Sequence, residues 1–305
     1  MYGRTHFLAV VLLLGLTGSL TGAGYQASGL SFLQVNPDSR IMALGDAGVA
    51  LGQNGGAGVL LLNPGIISDN GAMDAQLAHT IWFARTGLEF AGITFPASRG
   101  QYGLTLTSAN INNFELRGTQ ASDEPIGEFG AHYARAGFSG ARNLSGNTAV
   151  GVGIDLVYEQ IYYHTAHGVS FSLGAQHRIS PDLRIGAAIN HLGSMTKLIR
   201  ESTPLPTSAR LGLVFNGHID EIELDYTFAA DAGYFLNSYG FIGGGYEVCA
   251  WKIAAFRAGA QLRGDQLHTS FGLGIHWKKV TLDYGTILDN NQLGLPHLFS
   301  LHFML

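Results

Sequence analysis

The sequence is short of cysteine, of charge and of long apolar runs. Its one cysteine, Cys249, leaves no partner for an internal disulfide. It also leaves no thiol at the exit of the N-terminal segment, so a lipid anchor there is not expected. Charged residues make up 13% of the chain, against about 25% in an ordinary soluble domain. The formal net charge is −5, which argues against a nucleic-acid partner. The longest apolar run, at 7–16, falls far below the roughly 20 residues a membrane-spanning helix needs.

What is present begins with that run. Residues 1–23 carry a short basic start (Arg4, with His6), the apolar stretch and a small-residue exit, Thr21-Gly22-Ala23. This is the pattern of a secretory signal peptide. Its removal takes away Arg4 and no acid, moving the formal charge from −5 to −6.

Beyond the leader the chain divides into about fourteen segments of alternating apolar and polar residues, the last at 297–305. In 101–110, Tyr102, Leu104 and Leu106 fall on one face, with Gln101, Thr105 and Thr107 on the other. In 148–160, Val150, Val152, Ile154, Leu156 and Tyr158 oppose Gly151, Gly153, Asp155 and Glu159. Segments 221–228 and 269–277 repeat the arrangement, with Glu221, Glu223 and Asp225 on the polar face of the first. A strand whose outer face meets lipid needs this period of two, and keeping charge off that face avoids a cost of about 2–4 kcal/mol for a Lys or Arg at the bilayer midplane. Glycine, at 43 of 305 residues, suits bent strands and a crowded interior.

Connections alternate in length. Short ones are expected at 97–100, 143–146, 180–182, 216–218, 249–251 and 278–279, and mostly longer ones at 111–126, 192–206, 230–237 and 288–295. Two outer connections, 84–87 and 263–266, are short. The short set reads as periplasmic turns and the long set as outer loops. The expected fold is all-β, a 14-stranded antiparallel transmembrane β-barrel over 72–305, in the outer membrane of a Gram-negative-type bacterium. Residues 24–71 are rich in Gly and Ala, and a barrel of this width needs filling if it is not an open pore. They are expected to form an N-terminal plug in the lumen, with 39–50 as a short helix and Arg40, Asp46, Asn63 and Pro64 among the plug residues. The alternative for this stretch is a periplasmic extension.

Catalytic chemistry finds little support. The glycines of 44–52 neither follow a strand in a βαβ unit nor end in Lys-Ser/Thr, so they make no nucleotide loop. His164 and His167, in an expected outer loop with Tyr162 and Tyr163, supply too few ligands for a closed zinc site. His132, His177, His191 and His276 are scattered over different strands without a nucleophile motif. No enzyme, cofactor or metal is expected. The charges assigned to the lumen, Asp155, Glu159, Arg178, Arg184, Arg210, Glu221, Glu223, Asp225, Arg257 and Asp283, are read as ion pairs tying strands and plug together, with a substrate path as the alternative. Cys249, at an expected turn, is read as a lone covered thiol.

Several motifs in a fixed order carry a resemblance. The segment 32–40 (Phe-Leu-Gln-Val-Asn-Pro-Asp-Ser-Arg), the run 43–50 and then Asn63-Pro64 resemble the N-terminal signature of the PorV/PorQ family. The similarity continues at 190–193, at Leu205-Pro206 with Arg210-Leu211-Gly212, at Gly245-Tyr246-Glu247, at Arg257-Ala258-Gly259, and at Asp283-Tyr284-Gly285 with Leu293-Gly294 and 297–301. One departure is Asn63-Pro64-Gly65-Ile66-Ile67, where the family tends toward Asn-Pro-Ala-Gly-Leu. The resemblance implies a FadL-like barrel with an N-terminal plug, and a part in type IX protein secretion. It implies as partners secreted proteins with C-terminal β-domains and translocon or surface-attachment subunits, beside outer-membrane lipid. Phe114, Leu116, Leu198, Ile199, Tyr234 and Phe235, in expected outer loops, are the candidate contacts. The alternative is a transporter of hydrophobic small molecules, which predicts an apolar pocket between plug and wall.

Overall fold

The computed structural model describes residues 30–52, 56–66, 72–83, 86–98, 100–119, 123–236, 238–288 and 294–305; the expected leader at 1–23 lies outside them. Fourteen antiparallel strands form one closed barrel. In chain order they are β1 Asp74–Ile81, β2 Gly87–Ala97, β3 Gly100–Leu116, β4 Gly127–Asn143, β5 Thr148–Ile161, β6 His164–Arg178 and β7 Leu183–Met195. The second half is β8 Ser208–Ile219, β9 Leu224–Phe235, β10 Gly240–Ala250, β11 Ala254–Arg263, β12 Gln266–Trp277, β13 Val280–Leu288 and β14 His297–Met304. Each strand pairs with its chain neighbours, and β1 closes on β14 from Asp74 opposite Met304 to Ile81 opposite His297. Closure leaves no unpaired edge, which is the condition for strands to cross hydrocarbon.

Alternation sets the two faces as the sequence implies. Val152, Ile154 and Leu156 of β5 are exposed on the outer wall, and Asp155, Val157 and Glu159, of the opposite parity, are buried inside. Phe271, Leu273, Ile275 and Trp277 of β12 continue the outer belt. The wall is uneven in height: β3 and β4 each have 17 residues, β1 and β14 only 8. A membrane strand needs about 9–11, so the tall side projects beyond the bilayer.

Several expected boundaries move, because pairing with a neighbour extends a strand past the point where its apolar pattern fades. His164 and His167 are not in a loop: only Tyr162-Tyr163 separate β5 from β6, with Tyr162 at a φ of 58°, and His164 pairs with Ile161. β8 runs on to Ile219, so Glu221 and Glu223 lie in an exposed turn and not in the lumen. β9 continues to Phe235 through the expected loop at 230–237. Cys249 sits within β10 opposite Ala255, buried. In the plug, the α-helix stops at Ala43 (α1, Ser39–Ala43) instead of reaching residue 50, since Gly45 and Asp46 take left-handed φ values of 71° and 58°.

The core lies between plug and wall. Ile41, Leu44, Ala47, Ala50, Leu51, Val59, Leu62 and Ile66 of the plug cluster with Val214 and Ala229 of the wall. Inward glycines let the plug backbone approach. A Cβ at Gly259 would overlap the backbone of Leu44 and Gly45, and one at Gly151 would overlap Pro64.

Candidate functional site

The lumen is organised by charge pairs that seat the plug. Asp38 caps α1, its Oδ1 accepting from the amides of Arg40 (2.8 Å) and Ile41 (3.1 Å), while its Oδ2 accepts from Gln76 Nε2 of β1 at 2.7 Å. Ser39 N lies 2.9 Å from Ser300 Oγ of β14, and Ser39 Oγ donates to the same oxygen at 2.9 Å. From the next position Arg40 makes a two-pronged contact with Glu247 of β10, Nε to Oε2 at 2.8 Å and Nη2 to Oε1 at 2.7 Å. Glu247 is also bonded by Arg257 Nε of β11, whose Nη1 reaches Asp283 Oδ1 of β13 at 2.7 Å. Two arginines and two carboxylates thus make a buried, formally neutral cluster. Burial works to lower the Arg40 pKa, but the facing Glu247 carboxylate, helped by Asp283 and Asp38, moves it above the ordinary arginine value.

A second cluster holds the chain just beyond α1. Arg210 of β8 donates to Asp46 Oδ2 at 2.9 Å, to Asp46 O at 2.6 Å and to Asp231 Oδ2 of β9 at 3.3 Å. Asp231 Oδ2 also accepts the amides of Gly48 (2.8 Å) and Val49 (2.9 Å). Asn63 donates to Val49 O at 2.7 Å and to Ala175 O of β6 at 3.0 Å. The four residues singled out for the plug therefore all touch the wall or each other's neighbours: Arg40 and Asp46 through ion pairs, Asn63 through hydrogen bonds, Pro64 by packing under Gly151.

Above these clusters, on the outer side, the lumen turns apolar. Leu30 and Phe32 pack against Leu88, Ala109, Val157, Ala166 and Met195 of five strands, with Leu33, Val35, Tyr133, Leu198 and Leu205 around them. Residues 196–207, between β7 and β8, fold over this compartment: Thr203 Oγ1 donates to Glu159 Oε2 at 2.7 Å, and Thr207 Oγ1 to His191 O at 2.7 Å. At the rim of the same space β7 bulges. Phe171 pairs with Leu192 and Leu173 with Ile189, so both Asn190 and His191 turn inward, with His191 at a φ of 60°. Asn190 Nδ2 donates to Leu62 O at 2.8 Å.

The six residues expected in outer loops divide. Ile199, 65% exposed, and Tyr234, 42%, face out. Phe114 and Leu116 lie in β3 after its own register shift, Phe114 exposed and close to Phe129. Phe235 is only 4% exposed and packs on Phe241 inside the barrel, and Leu198 leans into the apolar compartment. Alternation in the extended β9 sends Tyr234 out and Phe235 in. Of the lumen charges, Asp155, Glu159, Arg210, Arg257 and Asp283 are buried as expected. The sequence reading missed Arg135, which pairs with Asp155 at 2.8 Å, and Asp231, whose signal was only its parity with Thr227 and Ala229.

Among the described residues the concavities differ in kind; besides an outer-wall hollow of about 580 Å³ beside Tyr102 and Phe138, three bear on the lumen and its wall. The largest, about 1210 Å³, is an open groove on the outer wall between two rows of outward side chains, Leu77, Leu106 and Leu156 in one and His79, Ser108 and Tyr158 in the other; no plug residue lines it. The space between plug and wall, lined by Phe32, Asn36, Leu62, Arg135 and His191, is about 30 Å³, room for a single water. On the side of the short turns, a polar vestibule of about 430 Å³ is lined by Arg40, Asp74, Glu247, Arg257, Asp283 and His302. Among the described residues the lumen is therefore apolar toward the long connections and charged toward the short turns, with residues 30–52 and 56–66 between.

No family model and no curated protein matches the sequence. Solved structures do. The P. putida toluene transporter TodX has a TM-score of 0.62 at 10% identity, covering 94% of this chain and 99% of that one. The CymD monoaromatic hydrocarbon channel gives 0.56 at 13%, covering 87% and 98%. A Pseudomonas aeruginosa FadL homologue gives 0.53 at 11%, covering 88% and 96%. At such identities the likeness is one of fold: this chain is built as a FadL-like outer-membrane β-barrel with a plugged lumen.

Proposed function

We propose that the protein is a gated outer-membrane channel for hydrophobic small molecules, closed here by its own N-terminal segment. The observation that carries this reading is the apolar compartment at the outer end of the lumen, where Leu30 and Phe32 occupy a site walled by Leu88, Ala109, Val157, Ala166 and Met195. A site that accepts a Phe and a Leu side chain of the plug accepts an apolar ligand of similar size once they leave, and that exchange conserves the buried apolar area. Among the described residues the space left between Phe32 and its neighbours and the wall is about 30 Å³, so on this reading entry requires displacement of 30–35. Toluene and monoaromatic hydrocarbons, the substrates named for TodX and CymD, are of the right size and polarity.

The experiment is binding of a fluorescent apolar probe, N-phenylnaphthylamine, to the purified barrel. Phe32→Ala, which vacates part of the site, should tighten binding about tenfold, and Val157→Trp, which fills it, should abolish the gain. Identical weak binding by all three proteins would end the proposal.

Protein export in the PorV/PorQ manner stands second. It rests on the ordered motifs and on apolar side chains exposed at the outer rim, among them Ile199, Phe114 and Ile126. The inward turn of Phe235 and Leu198 removes two of its six contacts, and none of the compared structures favours it. Co-purification of secreted proteins that share a C-terminal β-domain would reverse the order.

A further inference from the structure

The chain has four lysines, Lys197, Lys252, Lys278 and Lys279, and three of them stand in two neighbouring periplasmic turns. Lys252 lies between β10 and β11, Lys278 and Lys279 between β12 and β13. The same turns hold Trp251 and border on Trp277, two of the chain's three tryptophans, 65% and 70% exposed. His276 N donates to Ile253 O at 2.8 Å, which ties the two turns into one surface. Trp251, Lys252 and Lys278 have left-handed φ values of 52°, 56° and 57°. Glycine takes that conformation without strain, so turn geometry alone does not account for bulky side chains at all three places.

Charge and polarity on this sector are arranged for one kind of contact. Among the described residues no carboxylate forms an ion pair with Lys252, Lys278 or Lys279, although the adjoining turn carries Asp220, Glu221 and Glu223. Asp220 is engaged by His218 at 3.3 Å. Lys278 Nζ lies 5.6 Å from the centroid of the Trp277 ring. Immediately toward the bilayer, Ile253, Phe256, Leu273 and Ile275 are exposed on the outer wall and continue the lipid belt. The turn at 144–147, on the same end of the barrel, carries no charge at all. Exposed indoles mark the headgroup layer, and unneutralised ammonium groups beside them face phosphate oxygens.

We propose that the β10–β13 sector is a binding site for an anionic phospholipid of the periplasmic leaflet, with the headgroup phosphate on Lys252, Lys278 and Lys279, the glycerol region against Trp251 and Trp277, and an acyl chain along Phe256, Leu273 and Ile275. The site fixes the rotational setting of the barrel in its leaflet and holds the mouth of the charged vestibule, which the same three lysines line.

The test is native mass spectrometry of the full barrel in mild detergent, titrated with phosphatidylglycerol or with phosphatidylcholine of the same chains. The wild type should retain phosphatidylglycerol at a concentration at least tenfold lower. Each lysine removed should cost about fivefold, from roughly 1 kcal/mol per basic residue near an anionic surface, so K252Q/K278Q/K279Q should show no preference. The corresponding Lys→Arg protein should keep it. Heat-modifiable migration of each variant on a gel separates loss of the site from loss of the barrel. Soluble glycerol 3-phosphate distinguishes a lipid from a free anion in the vestibule: negligible binding supports the lipid, and binding as tight as phosphatidylglycerol overturns it. Equal retention of the two lipids by the wild type, or an unchanged preference in the folded triple variant, also overturns it.

Discussion

Replacing Arg40 by Gln tests whether the ion cluster at α1 is the latch of the plug. Arg40 makes two charge-assisted bonds to Glu247, at 2.8 and 2.7 Å, in a buried cluster with Arg257 and Asp283. Bonds to charged groups contribute about 1.5–3 kcal/mol each. Glu247 keeps Arg257, and Gln restores part of one bond, so the seated plug should lose about 3 kcal/mol. At tenfold per 1.4 kcal/mol that raises the unseated fraction roughly a hundredfold. Glu247→Gln should cost more, because it leaves Arg40 and Arg257 buried opposite Asp283 alone; removing one partner of a buried pair costs about 3–5 kcal/mol. The double variant R40Q/E247Q returns the cluster to neutrality, Arg257 with Asp283, and should therefore be more stable than E247Q alone. Current fluctuations in planar bilayers report the unseated state, and protease cleavage within 30–66 gives an independent reading. Unchanged current and cleavage in R40Q, or a double variant worse than E247Q by the full cost of R40Q, would refute a coupled latch.

Two further perturbations address the packing and the wall. Gly259→Val places a Cβ and two methyls against the backbone of Leu44 and Gly45, so the plug should lose about 1–3 kcal/mol of seating while the barrel keeps its heat-modifiable migration; a plug as protease-resistant as the wild type's would show that the close approach is not required. Leu156→Arg, on the outer face of β5, should destabilise the barrel by about 2–4 kcal/mol in urea titration in lipid, whereas Leu156→Ala should cost less than half of that. Equal effects of the two would mean that this face does not meet hydrocarbon.

The candidate site was legible in the sequence where one residue's own chemistry and parity decided its place. Asp155, Glu159, Arg257 and Asp283 alternate with apolar residues that must face lipid, so their inward direction followed from position alone. Arg40, Asp46 and Asn63 sit in a segment rich in Gly and Ala that precedes the first strand and is too long to be a tail. Their partners, Glu247, Arg210 and Ala175 O, are more than a hundred residues away in the chain, and no local pattern names them. His191 escaped because a bulge breaks alternation: Asn190 and His191 both face inward, which a period of two forbids. Phe235 was misplaced for the opposite reason, since β9 keeps its alternation through a stretch whose composition reads as loop.

The sequence by itself determined the barrel, its approximate number of strands and the face most strand residues present, because lipid on one side and a polar lumen on the other impose a period of two on crossing segments wherever no bulge interrupts it. It also indicated that a barrel of this width needs filling if it is not an open pore; that the plug backbone lies against inward glycines such as Gly151 and Gly259 is a finding of the structure. The tertiary structure alone decided how that filling is held and what remains open. Closure of β1 on β14 brings Arg40 to Glu247, Asp46 to Arg210 and Phe32 to Val157, contacts between segments far apart in the chain. The apolar outer compartment, the charged vestibule and the packing of the plug between them depend on those long-range contacts, and each is set by which side chains meet across the lumen.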